Sequence, residues 1–293
     1  MTRMARISLV LPLCLVLAAA AEAQSILVDT IERHGIALPG NSFEAAFDAG
    51  MVPTVPVTPG SLATPLAMLS VATGTERVSA AYAFGILAGR SARAASAAEL
   101  AAAGQALLRM IASADRRSRI AGARVAGRVL AASFDPRGVR PVVPAGMTDS
   151  LFALLNRPSE IEQLAAMDAL GLMRETQAVA AITERYYFYR EGGKRALAGG
   201  ALEALARIGD QSTIEVVKLV AADKWAAGRD ATALAVAFAR ERLLKDGSVV
   251  TISRRWTTSL AVSRPAVIST SWARRSRDPA GRLLPTAHAR CRA

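Results

Sequence analysis

A chain of 293 residues is long enough for one or two ordinary domains or one elongated array. Apolar residues make up 52% and aromatics only 5%, so the apolar content is mostly Ala, Leu and Val, which suits helices packed closely through small side chains. The formal charge of +12 suggests a polyanion partner only until it is located: residues 249–293 carry nine arginines against the single acid Asp278, and the body at 25–248 lies near balance, which argues against specific nucleic-acid binding.

The chain opens with Arg3 and Arg6, an apolar run from Ile7 to Ala21, and the small-x-small triplet Ala21-Glu22-Ala23 before Gln24. This is the layout of a secretory signal peptide over residues 1–23, and it predicts export to the periplasm or outside the cell. The run is short for a hydrocarbon core of ~30 Å. Cys14 sits inside it without the Leu-Ala-Gly-Cys spelling of a lipoprotein site. Removal of the signal leaves Cys291 as the one cysteine, so neither an intrachain disulfide nor a thiolate metal cluster is expected.

Residues 24–61 read as N-terminal helices and a connector. Leu27, Ile31 and Ile36 or Leu38 suggest a short helix, and "PGNSFEAAFDAG" (39–50) a turn, a cap at Asn41 or Ser42 and a second short helix ending at Gly50. "MVPTVPVTPGS", with Pro53, Pro56 and Pro59, reads as an extended link that cannot be helical.

Between 62 and 246 the spelling recurs. Segments anchored on Phe84, Ala126, Leu170 and Leu205 carry small or apolar residues at offsets −4, −3 and +3, one face of an α-helix. Directly after each anchor stands a tiny residue: Gly85, Gly127, Gly171 and Ala206. The anchors are 42, 44 and 35 residues apart, and a fifth copy is centred on Phe238. Another helix precedes each of these, at 64–72, 99–113, 147–156, 176–189 and 212–223, and "GVRPVVPAG" (138–146) is an insert between pairs. "REGGKRALAGG" (190–200) reads as the turn inside one pair and lacks the spacing of a phosphate loop.

"ADRRSRIAGARVAGRVL" (114–130) and "EALARIGDQSTIEVVKL" (203–219) resemble HEAT repeats, in the short HEAT-like form first noted in phycobilisome lyases. That pattern runs Asp-x-x-x-Arg-x-x-Ala-Ala-x-x-Leu-Gly-x-Ile-Gly-Asp. Asp115, Arg119, Gly127 and Val129 fit it in one copy, and Leu205, Ile208, Gly209 and Asp210 in another. Arg77 falls on the arginine column, which holds Gln163 and Ala198 in the third and fourth copies. The resemblance implies an all-α fold, a right-handed α-α superhelix (a HEAT-like solenoid) of about five helix pairs over 62–246, each burying its neighbour's apolar stripe. It also implies, as an alternative role, a lyase-like or accessory enzyme.

Residues 247–293 change composition, with neither Lys nor Glu beyond position 248. Three readings stand open: a disordered basic tail, a frame-shifted end that was never a selected sequence, or an arm making weak contact with anionic surfaces through Arg254, Arg255, Arg274, Arg275 and Arg277.

Chemistry-bearing residues are sparse. The two histidines, His34 and His288, have no His or Cys at ligand spacing and no His-Glu pair of the kind some HEAT-like enzymes use for iron, so neither metal nor cofactor is expected. His34 reads as a surface or capping residue. Glu160 with Glu162, and Asp168 with Glu175, read as solvated helix charge before an acid–base pair. Two candidate surfaces for an unidentified protein partner remain. One is "ERYYFYREGGKR" (184–195), where Tyr186, Tyr187, Phe188 and Tyr189 cannot all face a core and Arg185 and Arg190 flank them. The other is the polar side of the second helices, with Arg124, Arg128, Asp168, Glu203 and Arg207. The leading function is a non-catalytic interaction scaffold of the bacterial cell envelope.

Overall fold

The computed structural model describes residues 21–89, 95–131 and 142–209. Most of the signal segment, the fifth helix pair at 212–223 and around Phe238, residues 138–141 of the insert, and the basic tail with its arginines and His288 lie outside the described residues.

The described residues form ten α-helices and two short 3-10 turns, with no strand among them. Helix α1 covers 21–32, α2 Phe43–Asp48, α3 Pro59–Val71, α4 Gly74–Ala88 and α5 Ala97–Ile111. Helix α6 covers Arg116–Val129, α7 Met147–Leu155, α8 Glu160–Met173, α9 Val179–Glu191 and α10 Arg195–Ile208. The 3-10 turns at Pro39–Asn41 and Thr176–Ala178 lead into α2 and α9.

Local chemistry sets the helix ends. Ser96 and Glu99 close a reciprocal capping box on α5, with the Ser96 amide donating to Glu99 at 2.7 Å and the Glu99 amide to Ser96 Oγ at 3.2 Å. Asp115 caps α6 by accepting from the Ser118 amide at 2.8 Å and the Ser118 hydroxyl at 2.7 Å. Gly209, at φ 72°, ends α10 in the left-handed conformation that glycine adopts without penalty.

Two sequence expectations need correction. Helix α3 begins at Pro59, inside the stretch read as a non-helical link, because proline is tolerated at a first helical position, where its missing N–H has no partner to lose. The turn between α9 and α10 spans only Gly192, Gly193 and Lys194, and the second glycine pair lies within α10. A methyl on Gly200 would lie 2.7 Å from Leu164, so that glycine admits a neighbouring side chain and does not make a turn.

Packing follows chain order. Helices α3 and α4, α5 and α6, α7 and α8, and α9 and α10 pack as pairs. The second members then pack on each other, α4 on α6, α6 on α8 and α8 on α10, while α3 meets α5 and α5 meets α7 in the other layer. All four anchors, Phe84, Ala126, Leu170 and Leu205, are completely buried in this row. Each large apolar side chain removed from water stabilises the fold by about 1.5–3 kcal/mol. Pro144, at the described end of the insert, covers Gly104 of α5.

The glycine after each of the first three anchors meets the residue before the next anchor. A methyl on Gly85 would lie 3.1 Å from Val125, one on Gly127 would lie 2.6 Å from the Ala169 Cα, and one on Gly171 would lie 2.8 Å from the Ala204 Cα. Two of these three contacts are against backbone, which has little room to yield. The glycines are therefore kept despite costing ~1 kcal/mol of helix propensity against alanine.

The arginine column has a local task. Arg119 is buried, and its Nη1 donates to the carbonyls of Ser113 and Ala114, at 2.9 and 2.6 Å, in the turn closing α5. Its Nε donates to Glu162 of α8 at 2.6 Å. Gln163 does the first task in its own pair, donating to the Arg157 carbonyl at 2.5 Å. The Arg-to-Gln change in this column thus keeps the bond to the preceding turn.

Two outcomes are expected in chemical denaturation. Gly127→Ala and Gly171→Ala each lower stability by about 1–3 kcal/mol through overpacking, despite the better helix former, whereas Gly60→Ala, with open space around it, does not. Glu162→Ala strands a buried guanidinium and costs about 3–5 kcal/mol, while the joint change Arg119→Met with Glu162→Met costs far less.

Candidate functional site

Helix α9 sorts its aromatic run by angle. Ile182, Tyr186 and Tyr189, spaced four and three apart, are buried, whereas Tyr187 and Phe188 are 38% and 56% exposed. The Tyr189 hydroxyl donates to Gln163 of α8 at 2.5 Å, which ties the helix to the row behind it. Burial raises the Tyr189 pKa above its ordinary value. Arg185 donates to Asn156, the residue closing α7, at 2.8 Å. Arg190 lies in the last turn of α9 and is half-buried. Of the five sequence candidates here, Tyr186 and Tyr189 face the core, and Tyr187 is the ring in solvent, beside Phe188.

The candidate charged residues of the second helices occupy two repeat columns. Tyr82, Arg124, Asp168 and Glu203 stand two places before the anchors; Ile86, Arg128, Leu172 and Arg207 stand two places after. In the last described pair Arg207 bridges columns and copies, bonding Asp168 of α8 through Nη1 and Glu203 of its own helix through Nη2 at 2.5 Å. Burial opposes the charge on Arg207, but the Asp168 and Glu203 carboxylates outweigh it and raise its pKa.

At the other end of the row the acids come from outside the repeats. The short helix α2 supplies Glu44 and Asp48, and both carboxylates pair with Arg124, Glu44 at 3.3 Å. The same arginine donates to the Tyr82 hydroxyl at 3.3 Å, and that hydroxyl donates to Glu44 at 3.2 Å. Phe47 fills the space between. Its ring centroid lies 3.6 Å from the Arg128 guanidinium carbon, 5.4 Å from that of Arg124 and 5.2 Å from the Tyr82 ring, and its carbonyl accepts from Arg128 at 3.1 Å. Desolvation raises the Tyr82 pKa, so the folded protein holds this phenol neutral.

The sequence reading named Arg124 and Arg128 but missed Glu44, Phe47, Asp48 and Tyr82. One signal was present: the column that reads Arg, Asp and Glu in later copies reads Tyr in the first.

The remaining candidates have structural partners. His34 is buried, not on the surface, and its Nδ1 lies 2.7 Å from the Thr30 carbonyl, so this nitrogen carries the hydrogen and holds the end of α1. Its own carbonyl accepts from the Thr54 and Val55 amides at 3.0 and 3.2 Å, fastening the link to α1. Glu160 pairs with Lys194 at 2.6 Å, and Glu175 accepts from Thr148 at 3.1 Å. Among the described residues no group of three or more His, Cys, Asp or Glu is placed to hold a metal ion, and no described helix is long and apolar enough to cross a membrane. Comparison of the chain with protein-family models, with curated proteins and with solved structures finds no match.

The Tyr82 environment sets an alkaline limit. An unfolded tyrosine ionises near 10.0 while folded Tyr82 keeps its proton, so stability is full below that value and falls as pH rises above it. Thermal melts between pH 8 and pH 11 are expected to show this fall, and Tyr82→Phe to make it shallower.

Proposed function

We propose that the chain is a non-catalytic protein-interaction scaffold of the bacterial cell envelope, built as an α-α superhelix of HEAT-like pairs. The recurring contact between successive second helices supports the superhelix, because each described step sets a glycine against the residue before the next anchor, an alanine in two of the three. The lysine, arginine and carboxylate partners described above support a structural use of those charges.

One observation carries the interaction reading: Tyr187 and Phe188 stand adjacent in solvent while the other two rings of the run are buried beneath them. Exposed aromatic side chains on a helix whose inner face is bolted to its neighbours give a rigid contact area with little ordering cost on binding. Arg185, held by Asn156 at 2.8 Å, adds a positioned cation beside them.

The test is capture of partners from native envelope extract on immobilised protein. The joint change Tyr187→Ala with Phe188→Ala is expected to cut capture of the specific partner at least tenfold with an unchanged melting temperature. Equal capture by the native and changed chains removes the α9 surface from this function.

A further inference from the structure

The row of second helices has an unequal start. Arg207, two places after the fourth anchor, meets Asp168, two places before the third. Arg128 holds the same place in the second copy, and the position matching Asp168 in the first copy is Tyr82, which carries no negative charge at neutral pH. Helix α2 makes good the difference. It brings two carboxylates and a ring to α4 and α6, although it belongs to no repeat.

Helix α2 also has the form of a peptide ligand. It is six residues long, far below the length at which a helix is stable alone. Its two phenylalanines, Phe43 and Phe47, are four residues apart, and each is followed directly by an acid, Glu44 and Asp48. Helices that lie in grooves present anchors at this spacing. Gly40 and Gly50 flank it, both at positive φ (55° and 67°), and neither has an atom within 4 Å of where a side chain would begin. The charges it meets are side chains of fixed sign on α6; its apolar residues Phe43, Ala46 and Phe47 are all buried, and Phe47 is the ring that Tyr82, Arg124 and Arg128 meet.

The geometry points to a recognition site on α4 and α6, made by Tyr82, Arg124 and Arg128, for short helical segments of the spelling aromatic-acid-x-x-aromatic-acid. Helix α2 is its built-in occupant, an intramolecular ligand that a partner segment of the same chemistry displaces. Arg124 reads both acids, Arg128 lies over the second ring and bonds its carbonyl, and Tyr82 meets the same ring and donates to the first acid. This site is separate from the α9 surface, and it names a partner chemistry that the scaffold reading does not require.

The experiment uses the full chain and a fluorescent peptide of residues 39–52, followed by anisotropy. The joint change Glu44→Gln with Asp48→Asn loosens α2 with little change of shape. The changed chain is expected to bind the peptide at least tenfold tighter than the native chain, with the gain lost on adding Arg124→Ala and reduced by high salt. A folded changed chain that binds no tighter than the native one overturns the proposal, as does binding that Arg124→Ala leaves unaltered. Should the changed chain fail to fold, hydrogen exchange on the native chain decides. The amides of 43–48 are expected to exchange at least tenfold faster than those of α4, and faster still in salt. Exchange no faster than α4 makes α2 a fixed part of the core and ends the idea. Both readouts use purified protein, so they answer whether or not the α9 surface captures anything from an extract.

Discussion

The described pairs are placed by how closely one second helix can approach the next. The distance is set where the glycine after one anchor meets the residue before the next, the Val125 side chain at the first junction and an alanine at the other two. At Gly127 against Ala169 and at Gly171 against Ala204, backbone lies almost on backbone. Such proximity brings many atoms into dispersion contact around these points, and it leaves no volume for a methyl group. The first helices are then carried along as an outer layer, each on its own partner. The composition noted at the outset, rich in alanine and poor in rings, is what this geometry requires.

Close approach creates a polar problem, because turns and charged side chains are drawn into dry surroundings. The protein answers it the same way twice. Arg119 and Gln163 each turn back to a carbonyl at the end of the preceding helix, at 2.9 and 2.5 Å, so a buried acceptor is satisfied in both pairs. Arg119 then has a second face for Glu162 of the next pair, while Gln163 has a second face for Tyr189 of its outer neighbour. Each polar residue thus links a turn to an adjacent pair, and the links run across the same joints as the apolar contacts.

Much of the helical arrangement was legible because it is periodic. The anchors, their −3 and −4 neighbours and the tiny residue behind each one share a face by spacing alone, and all of them are buried as that spacing demands. The start of α3 was not legible, since three prolines in a row of turn residues hide that the last of them is a legal first residue of a helix. The exposure of Tyr187 and Phe188 was half legible: four consecutive rings cannot share one side, but which two turn inward is set by packing on α10 and on α8, where Tyr189 meets Gln163, 26 positions earlier. The use of Arg124 was hidden more deeply. Its partners, Glu44 and Asp48, lie far upstream in a helix that follows no repeat, and no local pattern connects them.

The glycine contact is counted from the anchor inside a helix, and the chain between anchors does not enter it. The intervals of 42, 44 and 35 residues bring the same two positions together, glycine against Val125 across the first and against an alanine across the other two. Length is therefore a neutral variable for this architecture. Segments between hairpins can differ in length and carry different loops while the second helices still meet through positions counted from their anchors, provided that a contact such as Pro144 on Gly104 is kept or replaced.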